Sequence, residues 1–195
     1  MATKRQKEYK TKVRGFTDKV KCALEKEVYP IVFNHFRRRT DKDKFLGNDS
    51  IAGWANLCGH KVGVQEKYVR ADTYNKYGKL YFEVAHTDAN GRLVYGVGMR
   101  SKANVIVYAI YDEDTDKLIE THFLSVKWLQ DEGARVLREW NVNGIQPIDL
   151  KRYQSSNKLK TGGYYTVYSY EFDLNLVPDC AYVRIQDEPV RVVEE

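Results

Sequence analysis

Asp72 and Glu83 are the two carboxylates whose setting best suits chemistry. Asp72 lies in Val69-Arg70-Ala71-Asp72-Thr73-Tyr74, and Glu83 in Leu80-Tyr81-Phe82-Glu83-Val84. Between them, Asn75-Lys76-Tyr77-Gly78 is a turn signal, so residues 69–86 read as a β-hairpin. Pairing Tyr74 with Lys79 sets Asp72 opposite Tyr81. Glu83 then becomes the diagonal neighbour of Asp72 on one face, with Cβ atoms roughly 7 Å apart. Two oxygen ligands at that separation suit Mg²⁺ or Mn²⁺. Such an ion activates water and stabilises the leaving oxygen in phosphodiester cleavage. The strand around Glu83 is otherwise apolar, and a buried charge there needs a partner or a metal. The plainer reading is two solvent-facing carboxylates beside a turn. Glu66 is the further metal ligand expected from the preceding strand, with Glu25 and Glu27 as helix-borne alternatives.

The elements that must hold these residues follow from periodicity. Residues 1–15 read as a flexible basic arm. Thr17 caps a helix whose apolar stripe is Val20, Ala23, Leu24 and Val28, and Pro30 kinks it. Residues 37–47 read as a loop. Residues 51–57 read as a short helix, capped by Asp49 or Ser50 and ended by Gly59. The period then becomes extended, with strands at 62–67, 68–74 and 80–84. Residues 104–111 form a β-branched apolar run, the mark of a strand covered on both faces. A strand at 118–124 and an amphipathic helix at 126–140 follow. Residues 151–163 read as a polar loop, and 164–174 and 181–185 as late strands. The fold class is α/β (α+β), with a central mixed sheet flanked by helices and an N-terminal helical segment. Residues 16–195 form one domain, with its core at about 50–140 and a strand extension at 150–195.

Composition sets the outer bounds. The chain has 195 residues, 43% hydrophobic and 30% charged, enough for one real core. Cys22, Cys58 and Cys180 make no disulfide framework, and no apolar signal segment follows the basic N-terminus. A cytoplasmic protein is expected, with no membrane span. The net charge is +5, with an isoelectric point near 8.9. Basic residues cluster in three places: Lys4, Arg5 and Lys10; Arg37 and Arg38; Lys158 and Lys160. Such clusters suit a phosphate backbone, and a solvated surface explains any one of them equally well. Tyr164, Tyr165, Tyr168 and Tyr170 interleave with the third cluster. Cys58-Gly59-His60 lacks the spacing and ligand number of a structural zinc site. Gly96-Val97-Gly98 precedes no helical pattern, so it reads as a close backbone approach rather than a phosphate loop.

Ala71-Asp72, the Gly-containing turn and Phe82-Glu83-Val84 resemble the D…(D/E)-x-K hairpin of the PD-(D/E)XK nuclease superfamily. Ser101-Lys102-Ala103-Asn104, leading into the next strand, is similar to phage and resolvase-like members. The resemblance covers about residues 50–140. It implies a restriction-endonuclease-like fold and a metal-dependent DNA endonuclease with Asp72 and Glu83 as catalytic metal ligands. It departs from the family where a lysine is due, because Ala85 stands there. Alanine neither orients water nor offsets charge on the phosphate. Three explanations stand side by side: a Lys→Ala inactivated form, migration of the role to His86 or Lys102, and a non-catalytic relative that binds nucleic acid. Strand alternation places His86 on the face opposite Glu83. DNA is the expected partner, and a homodimer is the form that nucleases cutting both strands often take. A phage-type accessory protein is the alternative, and a purely protein-binding domain the more remote one.

Overall fold

The computed structural model describes residues 4–41, 50–57, 59–88, 90–158 and 164–186. Its first element is helical. Helix α1 (Lys4–Ala23) runs into a π-helical turn (Leu24–Val28) and then α2 (Tyr29–Val32). The expected flexible arm is thus the first half of α1, and the helix starts well before Thr17. Pro30 sits in the first turn of α2, where its missing N–H costs nothing.

Among the described residues, ten strands follow in two sheets. The larger is six-stranded, in the order β1 (His35–Arg38), β2 (Gly53–Leu57), β3 (His60–Arg70), β6 (Val105–Asp112), β7 (Lys117–Ser125), β10 (Tyr182–Gln186). Only β3 and β6 run parallel within it; the other neighbours are antiparallel. The smaller sheet has the order β5 (Leu93–Tyr95), β4 (Leu80–Thr87), β9 (Tyr164–Phe172), β8 (Leu150–Lys158). Helix α3 (Ala71–Tyr77) joins β3 to β4, and α4 (Val126–Asn143) follows β7. Ser125 caps α4, its hydroxyl accepting from Trp128 N.

Two cores result. On one face of the larger sheet, Phe16, Val20, Leu24, Val28 and Tyr29 pack on Ala55, Val64, Val107, Ala109 and Phe123. On the other face, Ile106, Tyr108 and Leu124 meet Leu80, Phe82, Val84, Tyr170 and Phe172 of the smaller sheet and Leu129 and Val136 of α4. Val105–Asp112 is therefore covered on both faces, as its unbroken apolar run implies. The mixed sheet flanked by helices is as the sequence implies, and the second sheet was not foreseen.

Three local expectations fail for stated reasons. Residues 53–57 form a strand, not a helix, because Ala55 and Trp54 alternate between the two faces of the sheet. Gly59 (φ +82°) lies in the turn between β2 and β3 rather than at a helix end. The parts of 37–47 and 151–163 expected as loops include the end of β1 and most of β8.

The tight β6–β7 turn is held by Asp112, which accepts from Asp114 N at 2.9 Å and Thr115 Oγ1 at 2.8 Å. These bonds, Thr115 first, hold the Asp112 carboxyl below its ordinary range. A depressed folded value stabilises above the unfolded pKa, and that contribution is lost as pH falls through the folded one. Thr115→Val is expected to move the Asp112 titration upward, read by NMR, and an unmoved titration would discount the hydroxyl. No helix among the described residues is long and apolar enough to cross a membrane.

Candidate nucleic-acid interface

The expected hairpin does not form. After Arg70 the chain leaves the larger sheet, and residues 71–77 coil into α3. Asn75-Lys76-Tyr77-Gly78 is the end of that helix, with Gly78 in the left-handed conformation (φ 64°) and its N–H bonded to Tyr74 O at 2.7 Å. The parallel pairing of β3 with β6 requires a crossover, and α3, β4 and β5 supply it. Asp72 therefore sits exposed on a helix, its Oδ1 accepting from Thr73 N at 2.6 Å. Glu83 lies in the other sheet, opposite Ser169.

Glu83 has a local task instead. Its Oε1 accepts from Val97 N at 3.1 Å, tying the 96–100 segment to β4. A Cβ on Gly96 would lie 2.7 Å from Glu83 Cγ, and one on Gly98 2.5 Å from Glu83 O. Gly96-Val97-Gly98 is thus a close backbone approach. A bulge between Glu83 and Ala85 breaks the two-residue alternation. It brings His86 Nδ1 to 3.4 Å from Glu83 Oε1, so His86 is not on the opposite side. Ala85 is 1% exposed within the inter-sheet core, which has no room for the lysine of a nuclease site.

Glu66 is sealed as well. Its side chain is 2% exposed and accepts from Tyr29 OH, Tyr68 OH and Arg38 Nη1, the last at 2.5 Å. Arg38 Nε also reaches Glu25. Burial, then the Glu66 charge, pushes both tyrosines far above the ordinary phenol range. Burial works against the Arg38 charge, but Glu66 more than offsets it and raises that pKa. Arg38 thus serves the fold rather than a phosphate. No three His, Cys, Asp or Glu side chains among the described residues converge on a point that suits a metal. The residues described here do not fit the Mg²⁺ or Mn²⁺ site that Asp72, Glu83 and Glu66 were expected to make.

What the tertiary structure does assemble lies on the other face of β1–β3. Register sets Arg37 beside Trp54 and His35 beside Asn56 on β1 and β2, and Trp54 beside Gly63 and Asn56 beside Lys61 on β2 and β3. Paired residues share a face, so His35, Arg37, Trp54, Asn56 and Lys61 form one patch. Phe36, Ala55 and Val62 point the other way, under α1. Trp54 packs at the edge of the inter-sheet core, to which no described residue of β1 contributes. His35, Arg37 and Lys61 are exposed; Trp54 is half-buried, with Lys61 Nζ 4.7 Å from its ring centroid. The patch forms a trough of about 430 Å³ whose lining, among the described residues, holds no carboxylate.

Further along the same face of β3 come Gln65 and Lys67. Gln65 is buried and its Oε1 accepts from Ser101 Oγ at 2.9 Å. Lys102 N donates to Ser50 Oγ at 3.1 Å, and the Lys102 side chain is exposed. Gln130 steadies this corner by donating to the carbonyls of Gly98, Met99 and Ser101. Lys102 was the one catalytic candidate that the fold brings here.

The remaining basic candidates lie elsewhere. Lys4, Arg5 and Lys10 are on α1, and Lys158 ends β8, with their side chains outside what is described; Lys160 is outside the described residues altogether. Tyr168 and Tyr170 pack into the core rather than line a groove. The Trp54 patch was missed because residues 51–57 were read as helical. The signal that finds it is strand alternation carried through Arg37, Trp54 and Lys61.

No family model, no curated protein and no solved structure matches this chain.

Proposed function

We propose that this protein binds nucleic acid through the β1–β3 face, on a fold related to the restriction-endonuclease type. The observation that carries the reading is the patch of His35, Arg37, Trp54 and Lys61, basic and aromatic with no carboxylate lining it among the described residues. Phosphates favour such a surface through counterion release, and an aromatic ring adds sequence-tolerant affinity. The test is a salt titration of DNA binding. Affinity is expected to fall steeply with salt, with a logarithmic slope of about 0.9 for each phosphate contacted on duplex. Arg37→Ala and Lys61→Ala should each lower affinity across sequences and reduce that slope by about 1. An affinity indifferent to salt would sink the reading.

A second reading is phosphodiester hydrolysis at the far end of the same strip. It is favoured by β2–β3, an antiparallel hairpin whose second strand carries Gln65-x-Lys67 on one face. Asp49 precedes that hairpin in sequence and lies outside the described residues. This is the D…(D/E)-x-K order one hairpin earlier than Asp72 and Glu83, with glutamine at the second acidic position. Plasmid nicking with Mg²⁺ or Mn²⁺ is the measurement. Cleavage lost in both Asp49→Asn and Lys67→Ala supports it, and no cleavage by the unaltered chain on supercoiled, linear or single-stranded DNA rejects it, leaving a binding protein. A homodimer would follow only from the hydrolytic reading, if both strands are cut.

A further inference from the structure

We infer that Trp54 is a base-stacking subsite and that the preferred ligand is single-stranded nucleic acid. The inference deepens the binding reading above and rests on it. A base inside a duplex has its faces covered by neighbouring bases, so only an unpaired base offers one to an aromatic ring. Trp54 meets the requirement from the protein side. Its β2 backbone is fixed between β1 and β3, and the edge of its ring packs across Gly63, where a Cβ would lie 3.4 Å from Trp54 Cζ3. The ring is therefore held in one place by a glycine that leaves it room.

Its accessible side is marked by Lys61. That exposed side chain rests its ammonium 4.7 Å from the ring centroid. A flexible lysine is an easily displaced occupant. When a base stacks, the ammonium is placed to move to the adjoining phosphate, exchanging a cation–π contact for an ion pair. Arg37 lies directly across the strand pair from Trp54. His35 stands one pleat further along β1. The trough of about 430 Å³ is within the size range of small-ligand pockets, roughly 300–1,000 Å³. An aromatic ring beside the Lys61 ammonium complements a base joined to its phosphate. Asn56 Oδ1 accepts from Gly59 N at 3.0 Å, and stacking on the Trp54 ring by itself tolerates any base. Low sequence preference follows.

The experiment compares a short oligothymidylate, an oligouridylate and a blunt duplex of equal length by fluorescence anisotropy, using the full chain. The unaltered protein is expected to bind the single strands more tightly than the duplex. Trp54→Leu should weaken single-strand binding about ten- to a hundredfold, the loss that removing one base–aromatic stack brings, and leave duplex binding unchanged. Trp54→Phe should restore most of it. The indole N–H has no partner among the described residues, so phenylalanine forfeits no hydrogen bond seen here. Should Trp54→Leu fail to fold, tryptophan emission decides. The oligothymidylate should quench the unaltered protein and not Trp54→Phe. If the duplex binds with a normal salt slope but neither variant changes single-strand affinity or quenching, the subsite is wrong and the binding face stands. If neither strand form binds at low salt, both are wrong. A preference for uridylate over thymidylate would identify RNA as the source of the strand and uphold the subsite.

Discussion

Ala85→Lys is expected to destabilise the protein by about 3–5 kcal/mol and to create no nuclease activity. Ala85 is 1% exposed in β4, beneath the face where the two sheets and α4 meet. It pairs with Tyr95 on one side and Tyr168 on the other. A lysine there forces three further methylenes into filled space, which alone costs about 1–3 kcal/mol. Its ammonium then lies in an apolar core without a carboxylate partner, and burying an unpaired charge adds to that cost. Urea unfolding reads the outcome as a lowered midpoint with an unchanged slope. A variant with the unaltered midpoint and new plasmid nicking would return the catalytic lysine to β4.

Glu66→Ala is the second large effect, at about 3–5 kcal/mol. Glu66 accepts from three donors that arrive from separate elements: Tyr29 on α2, Arg38 on β1 and Tyr68 on β3 itself. Removing it leaves the half-buried Arg38 cation with Glu25 as its remaining carboxylate among the described residues, and takes the acceptor from the hydroxyls of buried Tyr29 and half-buried Tyr68. Part of the loss is tempered by solvent around Arg38, whose side chain is 29% exposed. The double replacement Arg38→Met with Glu66→Leu should cost less than Glu66→Ala alone, because neither charge is then stranded. A double-mutant cycle on thermal unfolding measures the coupling, and additivity between the two positions would show that the pair does not act as a unit. The same cluster explains why α2 and β1 stay docked on β3. It ties the helical layer to the sheet through charge rather than through the apolar stripe alone.

Much of the fold was legible from residue patterns. The run Val105-Ile106-Val107-Tyr108-Ala109-Ile110 identified a doubly covered strand because apolar residues on both sides of a pleat have only one use. Leu129, Val136 and Leu137 recur at helical spacing, so α4 was readable too. The 71–78 segment misled because its last four residues suit a hairpin turn and a helix end equally well. Glycine with positive φ serves both. What separates the two is where the next strand pairs, a long-range fact absent from a local window.

The candidate site shows the same division. Sequence alone determined that the chain carries basic clusters, one tryptophan among alternating small residues at 53–57, and a helix–strand order that closes on a mixed sheet. Tertiary structure decided which of those charges face out together. The single-residue alternation of β1 sends Arg37 to an open face and Arg38 to a buried carboxylate, although the two are neighbours of one type. It likewise separated Asp72 from Glu83 by assigning them to a helix and to the other sheet. A strand's side chains alternate by backbone geometry, but which face is covered depends on what packs there, and only the placement of α1 and the second sheet settles that.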